Sequence, residues 1–127
     1  WLDSPISFSS VLSDFGITVP QFTALQVLIN NGDMTIGELS QQLDLACSTI
    51  TDLVDRMEKN ELVKREKDQK DKRVVRVIVL AKGHDILQKV LDRRISFLEV
   101  KLEGLSVAEV EALKSALEKL YVEMNED

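Results

Sequence analysis

The sequence predicts a mainly α fold interrupted by one small β element, the α+β class. Three observations carry this. Apolar residues recur at helical spacing over most of the chain, one central segment switches to a β-branched run opposite a charged loop, and two long apolar-striped stretches close the sequence. At 127 residues, 44% hydrophobic and 30% charged, the chain holds about one domain and one real core.

Taken in order, Ile6, Phe8, Val11, Leu12 and Phe15 form a short apolar stripe that Gly16 ends, which reads as the tail of a first helix. The chain opens on Trp1 instead of Met, so it is expected to start inside a longer protein, with part of that helix ahead of it. Pro20 sits where a first helical turn tolerates proline, and Phe22, Leu25, Leu28 and Ile29 continue a second helix to Asn31. Asn31-Gly32-Asp33 is a turn. Thr35 and Glu38 have capping-box spacing and open a helix of about two turns, with Ile36, Leu39 and Leu43 inward. After Asp44-Leu45 the pattern restarts at once with Ile50, Leu53, Val54 and Met57 at i, i+3, i+4, i+7. Two short helices therefore meet across a tight turn.

Leu62 to Glu66 loses helical period and pairs naturally with the β-branched run Val74 to Leu80 as two antiparallel strands. Lys67 to Arg73 lies between them, too charged to pack, and projects as a loop. From Gly83 a long helix aligns Leu87, Leu91, Ile95, Leu98 and Leu102, with Ile86, Val90 and Phe97 widening the stripe. Ser106 and Glu109 form a second capping box, and Val110, Leu113, Leu117, Leu120 and Met124 then alternate spacings of three and four, as in packed helix pairs. A two-helix tail has few surfaces of its own to bury against, so this much apolar stripe predicts self-association.

The net charge of -6 excludes a uniformly basic coat, but the charge is unevenly spread. Residues 1–55 carry seven acids and no Lys or Arg, whereas Arg56 to Arg76 carry nine bases against five acids. One basic segment on an acidic molecule suggests a polyanion met at that segment. The longest unbroken apolar run, Val77 to Ala81, is far short of the roughly 20 residues of a membrane span, and no leader pattern is visible. The expectation is a soluble, cytoplasmic protein with no membrane contact. One cysteine, Cys47, and one histidine, His84, leave no disulfide and almost no metal-ligand set, so no cofactor is expected. Neither a nucleophile with its base nor a Gly-rich phosphate loop is present, which argues against an enzyme.

Helix, tight turn, helix and charged hairpin make a winged helix-turn-helix with a two-stranded wing and long terminal dimerisation helices. The second helix of such a pair fits the DNA major groove, and a cationic hairpin tip reaches backbone or minor groove. With Ile50, Leu53, Val54 and Met57 inward, Ser48, Thr49, Thr51, Asp52, Asp55 and Arg56 face out.

Three fragments are specific in this order and spacing: "STITDLVDRME", "NELVKRE" and the triplet Asp71-Lys72-Arg73. Together with "VPQFTALQVL" they resemble the MarR family of bacterial transcriptional regulators, over about residues 17 to 84. The resemblance implies one domain over 1–127, with a winged DNA-binding core at 17–80 and dimerisation helices at 1–16 and 81–127. It implies a homodimer on a pseudo-palindromic double-stranded DNA operator. By position, Ser48, Thr49 and Thr51 would contact bases or phosphates and Arg56 a phosphate, while Lys70, Lys72 and Arg73 form the wing tip. Arg73 is the candidate for the minor groove, and Asp71 the organiser of the wing.

Relatives of this kind also release DNA to a small-molecule effector; Phe8, Leu12, Phe15 and Phe22 could line a cleft for one, although this spacing ordinarily marks core. Two departures stand out. Ala81 occupies a place where the family often has Thr, leaving the next helix without a side-chain cap. Asp52 and Asp55 would repel phosphates, predicting weak nonspecific affinity, with the alternative that Asp52 accepts from a cytosine amino group. Cys47 opens the recognition helix, where the dipole favours an anion, and so raises a thiol-based redox-sensing alternative; its ordinary role is a small buried residue. A second alternative is a winged module used only for protein contacts. His84 reads as an exposed helix-start residue.

Overall fold

The computed structural model describes residues 8–126. Ile6, the first residue of the opening stripe, lies outside them. The elements run α1 (Phe8–Asp14), α2 (Val19–Asn31), β1 (Met34–Thr35), α3 (Ile36–Leu43), α4 (Cys47–Lys59), β2 (Val63–Lys67), β3 (Val75–Val79), α5 (Ala81–Leu102) and α6 (Val107–Met124). They separate into two compact units, the first ending at Asp92 and the second beginning at Arg93.

In the first unit, helix ends fall where the sequence satisfies orphan backbone groups. Thr18 caps α2 and Gln21 answers it, Thr18 Oγ1 accepting from the Gln21 N–H and Gln21 Oε1 from the Thr18 N–H. Thr35 and Glu38 repeat this exchange at α3. Gly16 and Gly32 take positive φ at the ends of α1 and α2, conformations that cost glycine little. The core gathers the apolar faces of α1 to α4 around Phe22, Leu25, Leu39, Ile50, Val54 and Met57, with Leu62, Val63 and Val77 from the hairpin and Ile86, Leu87 and Val90 from α5.

The sheet has three antiparallel strands in the order β1-β3-β2, not two. Met34 pairs with Val77 and Thr35 with Arg76, while Val63 to Lys67 run against Val79 to Val75. A two-residue strand is too short for alternation to show in sequence, so β1 is the structure's addition. It staples the wing's inner strand to the start of α3. The four apolar residues considered for a cleft are structural instead: Leu12 and Phe22 are buried, Phe8 meets Phe22 edge-to-face with centroids 5.1 Å apart, and Phe15 packs on the same cluster.

The cap of α5 falls one residue ahead of Ala81, on a side chain that likewise cannot accept a backbone bond. The Leu80 carbonyl accepts from the His84 N–H at 3.1 Å, so Ala81 is the first helical residue and Leu80 holds the cap position. Gly83 follows for a steric reason. A Cβ there would stand 2.5 Å from the Leu62 carbonyl oxygen, 2.8 Å from Val79 Cγ1 and 3.1 Å from Leu25 Cδ2. That carbonyl cannot retreat freely, because it accepts the Leu80 N–H at 2.9 Å. Gly83→Ala is therefore expected to destabilise the fold by about 1–3 kcal/mol, read as a lower urea midpoint at unchanged slope; an unshifted midpoint would show that the turn relaxes without cost.

The second unit comprises the end of α5 and all of α6. Ser106 Oγ accepts from the Glu109 N–H and Glu109 Oε1 from the Ser106 N–H, the expected capping box. The Glu109 carboxyl is held below its usual range by these backbone and side-chain bonds to Ser106. No residue of α6 is buried. Leu98, Leu102, Val110, Leu113, Leu117, Leu120 and Met124 line one open apolar groove of about 890 Å³ within this unit.

Candidate nucleic-acid interface

The joint between α3 and α4 is built by backbone bonds. Asp44 turns left-handed (φ 53°), Leu45 donates its N–H to the Ser40 carbonyl at 3.1 Å, and Ser40 Oγ donates back to the Leu45 carbonyl at 2.5 Å. α4 then leaves at once. Ile50, Val54 and Met57 are fully buried and Leu53 partly so, which turns Ser48, Thr49, Thr51, Asp52, Asp55 and Arg56 to solvent, as the spacing predicts. Ala46 offers no side-chain cap, so the first amides of α4 keep their donor capacity for an anion. Thr51 Oγ1 donates to the Cys47 carbonyl at 2.8 Å, which leaves its lone pairs and methyl group facing out.

Cys47 departs from the reading of it as buried. It is exposed, because it stands in the first turn of α4, ahead of Ile50 where burial of the inner face begins. His84 is exposed near the start of α5, as expected.

Arg65 is the residue that sequence reasoning missed. It lies on β2 with the same parity as buried Val63, and its side chain is only 27% exposed. Its guanidinium pairs with Asp55 Oδ1 at 2.5 Å and Glu58 Oε1 at 3.0 Å, and Nη2 reaches the Thr51 carbonyl at 3.5 Å; its own N–H donates to Glu58 Oε2 at 2.9 Å. One cation thus ties the recognition helix to the wing. Asp55 is consequently not the bare negative charge that the sequence suggested. The alternation Val63-Lys64-Arg65 was the available signal, since it places Arg65 on the inward side of the strand.

The wing tip is fixed by two aspartates. Asp68 Oδ2 accepts the Asp71 N–H at 3.1 Å, and Asp68 Oδ1 accepts from Arg76 Nε at 3.4 Å, while Arg76 Nη1 stands 4.0 Å from Glu38 of α3. Asp71 accepts three bonds from Arg73: its N–H and Nε at 3.1 Å, and Nη2 at 3.2 Å on the second oxygen. These bonds, the side-chain ones first, hold the Asp71 carboxyl below its usual range, so the clamp stays charged at neutral pH. Arg73 remains 91% exposed, a guanidinium aimed by Asp71 rather than buried by it. Lys70 and Lys72 flank it in the open.

A polar-faced helix is thus clamped to a wing with an oriented arginine at its tip. The model of the MarR family matches residues 17–75. The HTH-type transcriptional regulator YsmB of Bacillus subtilis (strain 168) is 49% identical over 114 residues, spanning 90% of this chain and 78% of that protein. The chain belongs to the MarR family. Solved structures of MarR proteins agree with this. A MarR family protein from Bacillus stearothermophilus superposes with a TM-score of 0.77 at 45% identity, covering 94% of this chain and 83% of that one. A MarR variant from E. coli complexed with operator DNA gives 0.67 at 27% identity, covering 89% and 81%. This MarR-family chain is thus a winged-helix transcriptional regulator. No helix among its described residues is long and apolar enough to cross a membrane, and no group of three or more His, Cys, Asp or Glu among them could hold a metal ion.

Proposed function

We propose that this protein works as a homodimer on a pseudo-palindromic operator, α4 entering the major groove and the wing meeting the adjacent minor groove, without catalysis. In this reading residues 17–80 form the reading core, and α1, α5 and α6 serve dimerisation. The observation that carries the reading is the Asp71-oriented Arg73 beside a recognition helix whose outward face is Ser48, Thr49, Thr51 and Arg56. Hydroxyls and free first-turn amides suit phosphate and base edges, Arg56 a phosphate, and a narrow minor groove attracts an extended arginine. Lys70 and Lys72 add backbone contacts that carry position rather than sequence. The work is done in the cytoplasm, where a bacterial chromosome is reached, and a small-molecule effector sets the fraction of protein on DNA.

The test is fluorescence anisotropy on the duplex protected upstream of the protein's own gene, at two salt concentrations. Several phosphate contacts give affinity falling steeply with salt, with a slope of about -0.9 per contact. Arg73→Ala is expected to weaken binding about ten-fold while sedimentation still finds a dimer. Unchanged affinity contradicts the wing assignment, and salt-independent or absent binding favours a module for protein contacts.

A further inference from the structure

Asp52 stands apart on the reading face. On a helix turning 100° per residue, Ser48, Asp52, Asp55 and, at the C-terminal end, Lys59 lie nearest the direction opposite buried Ile50, Val54 and Met57, so over the first two turns it is the Ser48 and Asp52 side chains that would sit deepest in a groove. Asp55 is neutralised by Arg65. Asp52 is exposed, and no ion pair or hydrogen bond of its side chain occurs among the described residues. A bare carboxylate aimed at a polyanion weakens binding to every sequence alike unless something in the groove donates to it. The major groove has such donors only on bases, at cytosine N4 and adenine N6. Adenine places the N7 acceptor beside N6, where it repels a carboxylate; cytosine places only C5–H there.

We propose that Asp52 is a specificity-determining residue that accepts a hydrogen bond from the N4 amino group of one cytosine in each half-site. This rests on the DNA-binding reading above and adds which base that surface selects. The hydroxyls of Ser48 and Thr49, one turn N-terminal, accept or donate and tolerate several bases, so Asp52 is the selective member of the face.

The experiment selects operators from a pool of randomised duplexes with the full chain and with Asp52→Ala and Asp52→Asn, folding being checked by circular dichroism. The wild type is expected to enrich cytosine at one symmetry-related position per half-site, with about ten-fold preference over thymine, whose O4 is an acceptor. Asp52→Ala is expected to bind that duplex as tightly or more tightly and to accept any base there within about two-fold. Asp52→Asn is expected to move the preference to adenine, which an amide can both donate to and accept from. An Asp52→Ala protein that keeps the cytosine preference overturns the proposal, as does uniform tightening on all sequences with preferences unchanged, which would make Asp52 a charge brake only. Enrichment of adenine by the wild type at the residue-52-dependent position overturns the cytosine assignment. A wild type that retains no duplex overturns the DNA-binding reading as well, whereas a selected operator indifferent to residue 52 overturns this inference alone.

Discussion

Leu117→Glu combined with Leu120→Glu is expected to convert the protein to a monomer and to lower operator affinity by about 10²–10⁴-fold. Both leucines lie on α6, where they are 55% and 54% exposed, and both line the groove that the end of α5 shares with α6. Leu98, Leu113 and Met124 continue the same open surface, so the unit from Arg93 onward leaves an apolar face uncovered. Surfaces of this kind are rarely left to water, and a second copy offers the complementary stripe because it is the same stripe. Carboxylates placed there leave each chain's own core untouched, since no residue of α6 is buried, but they set like charges face to face in a desolvated seam. The loss on DNA follows from the geometry of a two-part site. A tethered second reading head binds at a high effective concentration, and separation of the chains removes that gain without altering either head. Sedimentation velocity and anisotropy on the same preparation check both halves. A variant that still sediments as a dimer shows that the pair forms through another surface.

The elements that position the reading surface were largely legible because each rests on a local rule. The capping boxes at Thr35 and Ser106 and the inward set of α4 follow from spacing alone, and the structure has all of them. Thr18 and Gln21 obey the same rule at the start of α2, a cap that the helix-start signal of Pro20 does not by itself disclose. What sequence could not supply is pairing across the fold. β1 exists because Met34 and Thr35 reach β3, a contact some forty residues away that two residues cannot announce. Asp71 as organiser was a local matter, two residues from Arg73, and the structure places its three bonds there. Arg65 with Asp55 and Glu58, and Arg76 with Asp68, join helix to strand or strand to loop, and at separations of 10, 7 and 8 residues no local spacing rule pairs them. Repulsion at Asp55 is weaker than its position in the sequence suggests for that reason, Arg65 offsetting but not reversing the negative excess of Asp52 and Asp55 over Arg56.

That partner sets the second large effect. Arg65→Met is expected to lower operator affinity about ten- to hundred-fold near 0.1 M salt, although no role in touching DNA is assigned to Arg65. The substitution keeps the aliphatic stem that packs beside Val63's side of the strand, and it removes one positive charge lying among Asp55, Glu58 and the Thr51 carbonyl. Two carboxylates on α4 are then unanswered within about a Debye length of the phosphates, and of the Arg65 bonds to α4 just the one from its N–H to Glu58 remains, beside the packing of Val54 and Met57 with Leu62 and Val63. Stability should fall by a smaller amount, about 1–2 kcal/mol, because the bonds are charge-assisted but their carboxylates are half open to solvent. The two consequences separate in a cycle. Adding Asp55→Asn and Glu58→Gln to Arg65→Met removes the uncovered charge without rebuilding the clamp. Recovery of most of the affinity at unrecovered stability identifies charge shielding as the role of Arg65 on DNA. If affinity stays low in the triple variant, Arg65 acts by aligning helix and wing, and loss of that alignment is what weakens the protein's hold.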